Sequence, residues 1–374
     1  MDYSKKNFIN NIGILSILLL ITFVLLCSSW SSSKPSLAFS FLQKRPPRPT
    51  SSSPDVTIPK DELEEALTNA SLGDEEDKTV IITIVNKAYV EPHNDQYPTM
   101  FDLFLEGFWV GGNETRSLLD KLLVVAMDQT AYERCKFRRL NCYKLVTDGV
   151  DFAEEKLYMS ADFIKMMWSR TLFLLDVLKR GYNFIFTDTD VLWLRNPFPK
   201  LNLINSTDDF QISTDKFNGN PKSQSNLINT GFYHIRSNNK TISLFNTWYD
   251  ARKNSSGLKE QDVLANLIRE GVINQLGLEV RFLDTLYFSG FCSNSKDAGV
   301  VSTVHANCCR TITAKVADLT TVLKDWKRFR HSMSTVTITN VTGSSNVSTN
   351  TDSNARNEFQ WSRHISCEHS WAKP

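Results

Sequence analysis

Neither sign of charge dominates this chain. Its 374 residues carry 42 Lys and Arg against 41 Asp and Glu. No long one-sign tail is present, so nothing points to a basic nucleic-acid surface. Cysteine is sparse, seven in all, and no C-x-x-C spacing occurs, which leaves a structural zinc site without support. No His-rich or multi-carboxylate cluster is visible in the sequence, so a metal-dependent phosphohydrolase lacks the base or second metal it would need. A composition that is 41% hydrophobic and 11% aromatic is that of a globular body.

Charge is also missing between Lys6 and Lys34, where an apolar run fills residues 12–27. With Phe8 and Ile9 it reaches roughly the 17–25 residues that cross a bilayer. A cleaved signal peptide ending near Ser28 and Ser29 competes, but the apolar core is at the long edge for one. We expect an uncleaved anchor at 8–27, a cytosolic tail at 1–7 (Lys5 and Lys6 inside) and a lumenal body. Seven Asn-x-Ser/Thr sequons, at Asn69, Asn113, Asn205, Asn239, Asn254, Asn340 and Asn346, agree with that side. Six cysteines follow the apolar run, an even number that suggests disulfides in an oxidising compartment. Cys135 and Cys142 are spaced to close a local loop. Adjacent Cys308 and Cys309 would strain a mutual bond, so each is expected to seek a distant partner such as Cys292 or Cys367.

Residues 28–77, rich in Ser and Pro, read as a stem that builds no core. A short helix at 60–71 has little to bury. The body, 78–330, opens with Thr79–Val85, a β-branched run apolar on both faces, as in a central parallel strand. Helix at 98–110, strand at 121–127, a short strand at 141–146 and helix at 160–180 follow. Ser160 suits that last helix's start and Gly181 its end. The strand 182–187 comes next. This alternation predicts βαβ units and an α/β fold with a mixed, mostly parallel sheet flanked by helices. Ligands in such sheets bind at the carboxyl ends of strands. The second half is more mixed. Strands are expected at 210–214, 227–235, 280–288 and 300–304, and helices at 241–253, 261–270 and 318–330. A disordered Ser/Thr/Asn-rich insertion fills 331–357, and a C-terminal segment, 358–374, docks back.

Asp188 and Asp190 follow the strand 182–187. Two apart on an extended chain, their Cβ atoms lie roughly 6–7 Å apart on one side. Both can face one hard divalent cation whose open positions take phosphate oxygens. The segments FIFTDTDVLWLRNPF, NTGFYHIRSN, EQDVL, FLDTLYFSGFC and VHANCC stand in this order. Together they resemble plant nucleotide-diphospho-sugar transferases of glycosyltransferase family 77, across about residues 79–330 with an echo in the last fourteen. The resemblance implies a GT-A fold and a Golgi type II membrane protein. It also implies a retaining transferase that uses Mn²⁺ (or Mg²⁺) and a UDP-sugar on a glycan or glycoprotein acceptor. By the same resemblance Asp190 is a direct metal ligand, Asp188 touches ribose, metal or both, and His305 is the third ligand. Arg170 either pairs with phosphate or caps helix–sheet packing. Asn86 is placed to read the base, unless it merely ends a strand. Gln261 and Asp262 lie near the sugar, and Asn229, Thr230 and Gly231 bring backbone close to the donor. Asp284 binds acceptor or ends a strand, Trp193 and Tyr287 stack on sugar or pack in the core, and Lys165 is more simply solvated. A catalytically silent lumenal binding or scaffold protein is the competing reading.

Overall fold

The structure, a computed structural model, describes residues 61–71, 78–93, 97–147, 149–203, 205–342 and 359–372. The expected tail, anchor and most of the stem lie outside the described residues, as do 343–357 of the expected insertion. Among the described residues no helix is long and apolar enough to cross a membrane.

The β-branched run becomes β1 (Thr79–Val85), and all but one of its residues are buried. It pairs in parallel with β2 (Leu122–Ala126) and β4 (Asn183–Thr187), which makes it central as its two apolar faces require. With β3 (Asn141–Lys144), β6 (Phe210–Lys216), β7 (Leu227–Ile235) and β8 (Val280–Phe282) they form a seven-stranded sheet, ordered β3-β2-β1-β4-β7-β6-β8. Only β7 runs against its neighbours. The order reverses direction between β1 and β4, where a crevice opens beyond the strand ends.

Helices cover both faces. On one, α1 (Glu62–Ala70), α5 (Ala161–Lys179), α6 (Asn239–Ala251) and α7 (Glu260–Arg269) bury residues with Phe184, Phe186 and Tyr233. On the other lie α3 (Met100–Val110) and α4 (Gln129–Phe137), with Ile185 and Trp193. A short helix, α2 (Lys87–Val90), follows β1 directly. The punctuation expected of α5 is present: the Phe163 N–H donates to Ser160 Oγ at 3.2 Å, and Gly181 adopts φ +83°.

A second sheet of three strands, β5 (Val191–Trp193), β10 (Thr303–His305) and β9 (Phe288–Gly290), stands beside the first. Here the structure departs from expectation. The predicted strand 280–288 splits into β8 and β9, because Asp284 accepts from the Leu286 N–H at 2.8 Å and turns the chain. Asp284 is thus a turn residue. His305 belongs to β10 and does not follow it. α8 (Ile312–Thr342) starts before and ends after the predicted 318–330. It runs into the expected insertion because no Gly or Pro interrupts it until Gly343. Helix α1 also buries more than foreseen: Leu67 and Ala70 are fully enclosed, Tyr182 donates to Glu64 at 2.7 Å, and Arg180 clamps Asp61 with two 2.7 Å bonds. The folded body therefore includes part of the segment read as stem. Finally, α9 (Ile365–His369) carries Cys367 back to the body. Cys135–Cys142, Cys292–Cys308 and Cys309–Cys367 are bonded, so the adjacent pair does take separate partners.

Candidate active site

At the end of β4 the chain does not continue extended through Asp188 and Asp190. It turns, with the Val191 N–H donating to Asp188 O at 3.2 Å, so that β5 leaves the main sheet. Thr189 points back and donates to Ile84 O at 3.2 Å, which fastens the turn to β1. β5 pairs antiparallel with β10 and sets Val191 opposite His305. That register brings His305 to the two aspartates from more than a hundred residues away. One ligand atom from each of Asp188, Asp190 and His305 lies within 4.8 Å of the others.

The cradle they form is open because Gly231 has no side chain. A Cβ there would stand 2.4 Å from His305 Cε1 and 2.8 Å from Asp188 Oδ2. Its carbonyl accepts from the Asp188 N–H at 2.7 Å, and its own N–H donates to Asn229 Oδ1 at 2.8 Å. Two carboxylates and an imidazole around a space of this size fit a divalent ion of the Mn²⁺ kind, which takes hard oxygen and imidazole nitrogen together.

The charges are balanced locally. Burial pushes Asp188 up, against the pull of Arg170. Burial would raise Asp190 as well, but Lys315 and His305 outweigh it and hold the carboxyl well below its usual range. Lys315 Nζ is 2.8 Å from Asp190 Oδ2, and His305 Nε2 is 3.2 Å from Oδ1. Arg170 is buried and occupied on both sides. It donates to Asp188 at 2.7 Å and to Glu260 at 2.5 Å, and lies 4.7 Å over the Phe186 ring. The guanidinium that the sequence placed either on phosphate or in packing orients Asp188 and also lines the cavity.

Asn86, Asn229, Thr230, Gln261 and Asp262 line the same cavity, of about 390 Å³. Asn86 Nδ2 donates to Phe152 O at 2.7 Å, so it holds the 150s loop, while its Oδ1 stays buried without a hydrogen-bond partner. Asn229 donates to Asp215 at 2.8 Å. Gln261 accepts from the Thr230 N–H at 3.1 Å, and Thr230 donates to Glu260 at 2.9 Å. Asp262 lies on the cavity wall, at the first turn of α7. Trp193 is fully buried, stacked on Phe108, and Tyr287 lies beneath Lys200. Neither lines the cavity. Lys165 is exposed.

Among the wall residues that sequence reasoning missed are Tyr89, Asp215 and Lys315. Lys315 had one readable signal, a cation one turn into a helix, where the dipole disfavours it. Tyr89 and Asp215 had none. Burial pushes the Tyr89 phenol up to about 12, so it is a neutral donor at neutral pH.

The sequence profile of the nucleotide-diphospho-sugar transferase family matches residues 117–319. An uncharacterized protein of Arabidopsis thaliana is 56% identical over 84% of this chain and 85% of its own. A β-arabinofuranosyltransferase of the same plant is 34% identical over 32% of this chain and 24% of its own length. A UDP-galactose:fucoside α-3-galactosyltransferase of Dictyostelium discoideum is 36% identical over 25% of this chain and 14% of its own. With the paired aspartates standing where that profile and this geometry coincide, the chain belongs to the nucleotide-diphospho-sugar transferase family and is a glycosyltransferase.

Proposed function

We propose that this glycosyltransferase is a GT-A enzyme of family 77, a Golgi type II membrane protein. It moves a pentose or galactose from a UDP-sugar to a cell-wall glycan or glycoprotein, with retention and with Mn²⁺. The observation that carries the reading is the convergence of Asp188, Asp190 and His305 at the sheet's switch point. A divalent cation held there would supply Lewis acidity toward the two phosphates and the charge left on the nucleoside diphosphate. Arg170 keeps Asp188 aimed, and Lys315 adds positive charge on the other side of Asp190. Asn86 Oδ1 is an acceptor suited to an imide N–H of the base. Asp262 is the wall carboxylate we assign to sugar or acceptor contact, and Gln261 holds the Thr230 N–H. The three disulfides support a secretory route, since such bonds persist in oxidising compartments. So do the sequon asparagines Asn69, Asn113, Asn205, Asn239 and Asn254, all of them exposed. The names of the two partial matches support the donor range and the kind of acceptor.

The test is a thermal-shift screen of UDP-sugars on the full-length chain, with Mn²⁺ and then with chelator. A ligand at 100 times its Kd adds about 2.7 kcal/mol. We expect one UDP-sugar to raise Tm, and both chelation and Asp190→Asn to abolish the rise. A well-folded protein that no nucleotide sugar shifts would leave a silent binding protein as the better reading.

A further inference from the structure

The rim of the cavity holds a second feature, distinct from the metal cradle. Trp371 is 46% exposed, unusual for so large an apolar surface, yet it is held firmly. Its indole N–H donates to Cys308 O at 2.7 Å. The neighbouring Ser370 Oγ accepts from the Arg310 N–H at 3.0 Å, and Cys367 is bonded to Cys309. Tyr158, from the loop before α5, meets the indole edge-on with ring centroids 6.3 Å apart. Both rings line the cavity. Cations surround them: the Arg310 guanidinium is 4.6 Å from the Trp371 ring and Lys259 Nζ is 5.4 Å from the Tyr158 ring, with Lys156 on the same wall. None of the three cations has a carboxylate partner among the described residues. Backbone is strained here too. Met159 and Cys308 adopt φ +66° and +53°, sparsely populated for non-glycine residues and concentrated at functional sites.

An exposed tryptophan held beside a half-buried tyrosine is a platform for the apolar face of a sugar ring, and its ordering cost is already met before binding. The donor's diphosphate is served deeper, by Lys315 and the metal cradle. The cations at the rim therefore await a different anion. We propose that Trp371, Tyr158, Arg310, Lys259 and Lys156 form the acceptor subsite, and that it takes a saccharide bearing ring carboxylates, a uronate. This deepens the transferase reading and rests on it. A uronate ring stacked on Trp371 puts its carboxylate within reach of the Arg310 fork, which binds carboxylate bidentately.

Binding of trigalacturonic acid and of its fully methyl-esterified form to the full-length chain, by calorimetry, tests the assignment. The UDP–Mn²⁺ thermal shift is run on the same samples. The wild type is expected to bind the acid at least tenfold more tightly than the ester. Trp371→Ala should weaken the acid at least tenfold, and Arg310→Gln should erase the preference between acid and ester. Both variants should keep the UDP shift. Arg310 is exposed, so its substitution tests the idea even if Trp371→Ala folds poorly. Equal binding of acid and ester by the wild type overturns the uronate assignment. No binding of either, with the UDP shift intact, overturns the subsite and leaves the transferase reading standing. Loss of the UDP shift in Arg310→Gln would return the rim to the donor and likewise overturn the proposal.

Discussion

Arg170 stands between Asp188 and the buried Glu260 and pairs with both carboxylates. Removing one partner of such a group leaves the others uncompensated, at about 3–5 kcal/mol. We expect Arg170→Met to lower unfolding free energy by about that much in urea titration, and Glu260→Gln added to it to recover part of the loss. Gly231 is constrained differently, by space. Gly231→Ala would drive a methyl into His305 and Asp188, so the cradle must open. The expected result is at least a tenfold loss of Mn²⁺-dependent UDP binding, with Tm of the unliganded protein changed by only a few degrees. A fall in Tm comparable to that of Arg170→Met would mean that the glycine serves the fold and not the cradle. Asp188 and Asp190 were legible because their spacing and strand-end position are local properties. Lys315 and Glu260 were not, because each acts on a group far away in sequence.

Helix α1 shows what an element contributes when it has a partner. Taken alone, ELEEALTNA is short, acidic and marginal as a helix. Folded, it lays Leu63, Ala66, Leu67 and Ala70 onto the sheet's face, capped at its start by Asp61, which accepts from the Glu64 N–H at 2.8 Å. A large-to-small change at a fully buried leucine costs about 2–5 kcal/mol. Leu67→Ala in the full-length chain is expected to lose that much on denaturant unfolding. A loss within about 0.5 kcal/mol, the range of surface substitutions, would return this helix to the stem. The strand β5 makes the complementary point. Three residues long, it has too little pattern to be read from sequence, and it forms because β10 offers an edge for it.

Across the whole molecule, the C-terminal segment closes over α8. Asp325 accepts from the Ser362 N–H at 2.8 Å, and Asp318 from the Cys367 N–H at 2.8 Å. Between these anchors His364 stacks on Phe291 with centroids 3.6 Å apart, its Nε2 3.0 Å from Asn294 Oδ1. Burial lowers the His364 pKa from its ordinary 6.5, against the pull of Asp318 and Asp325. The unfolded chain therefore takes up this proton at higher pH than the folded chain does. The stability His364 contributes is complete above about pH 6.5 and is lost as pH falls through the depressed folded value. Tm measured from pH 7 to pH 5 should fall more steeply in the wild type than in His364→Phe, which keeps the ring stack. Parallel slopes would remove His364 from the account.

The family resemblance, the α/β alternation, the paired aspartates and the separate partners of Cys308 and Cys309 could all be read along the chain. The first rests on a resemblance of motifs in order, and the other three on short-range pattern: β-branched runs, a cap and a glycine, residues two apart, a bond too strained to form. What folding settled is whose charge faces whose. Arg170 pairs with carboxylates from two elements, because Glu260, ninety residues on, lies 2.5 Å away. Trp371 reached the mouth of the cavity because Cys309 and Cys367 are bonded across a separation of 58 residues. Contacts of that span depend on how the two sheets and α8 meet, and no local pattern encodes that meeting.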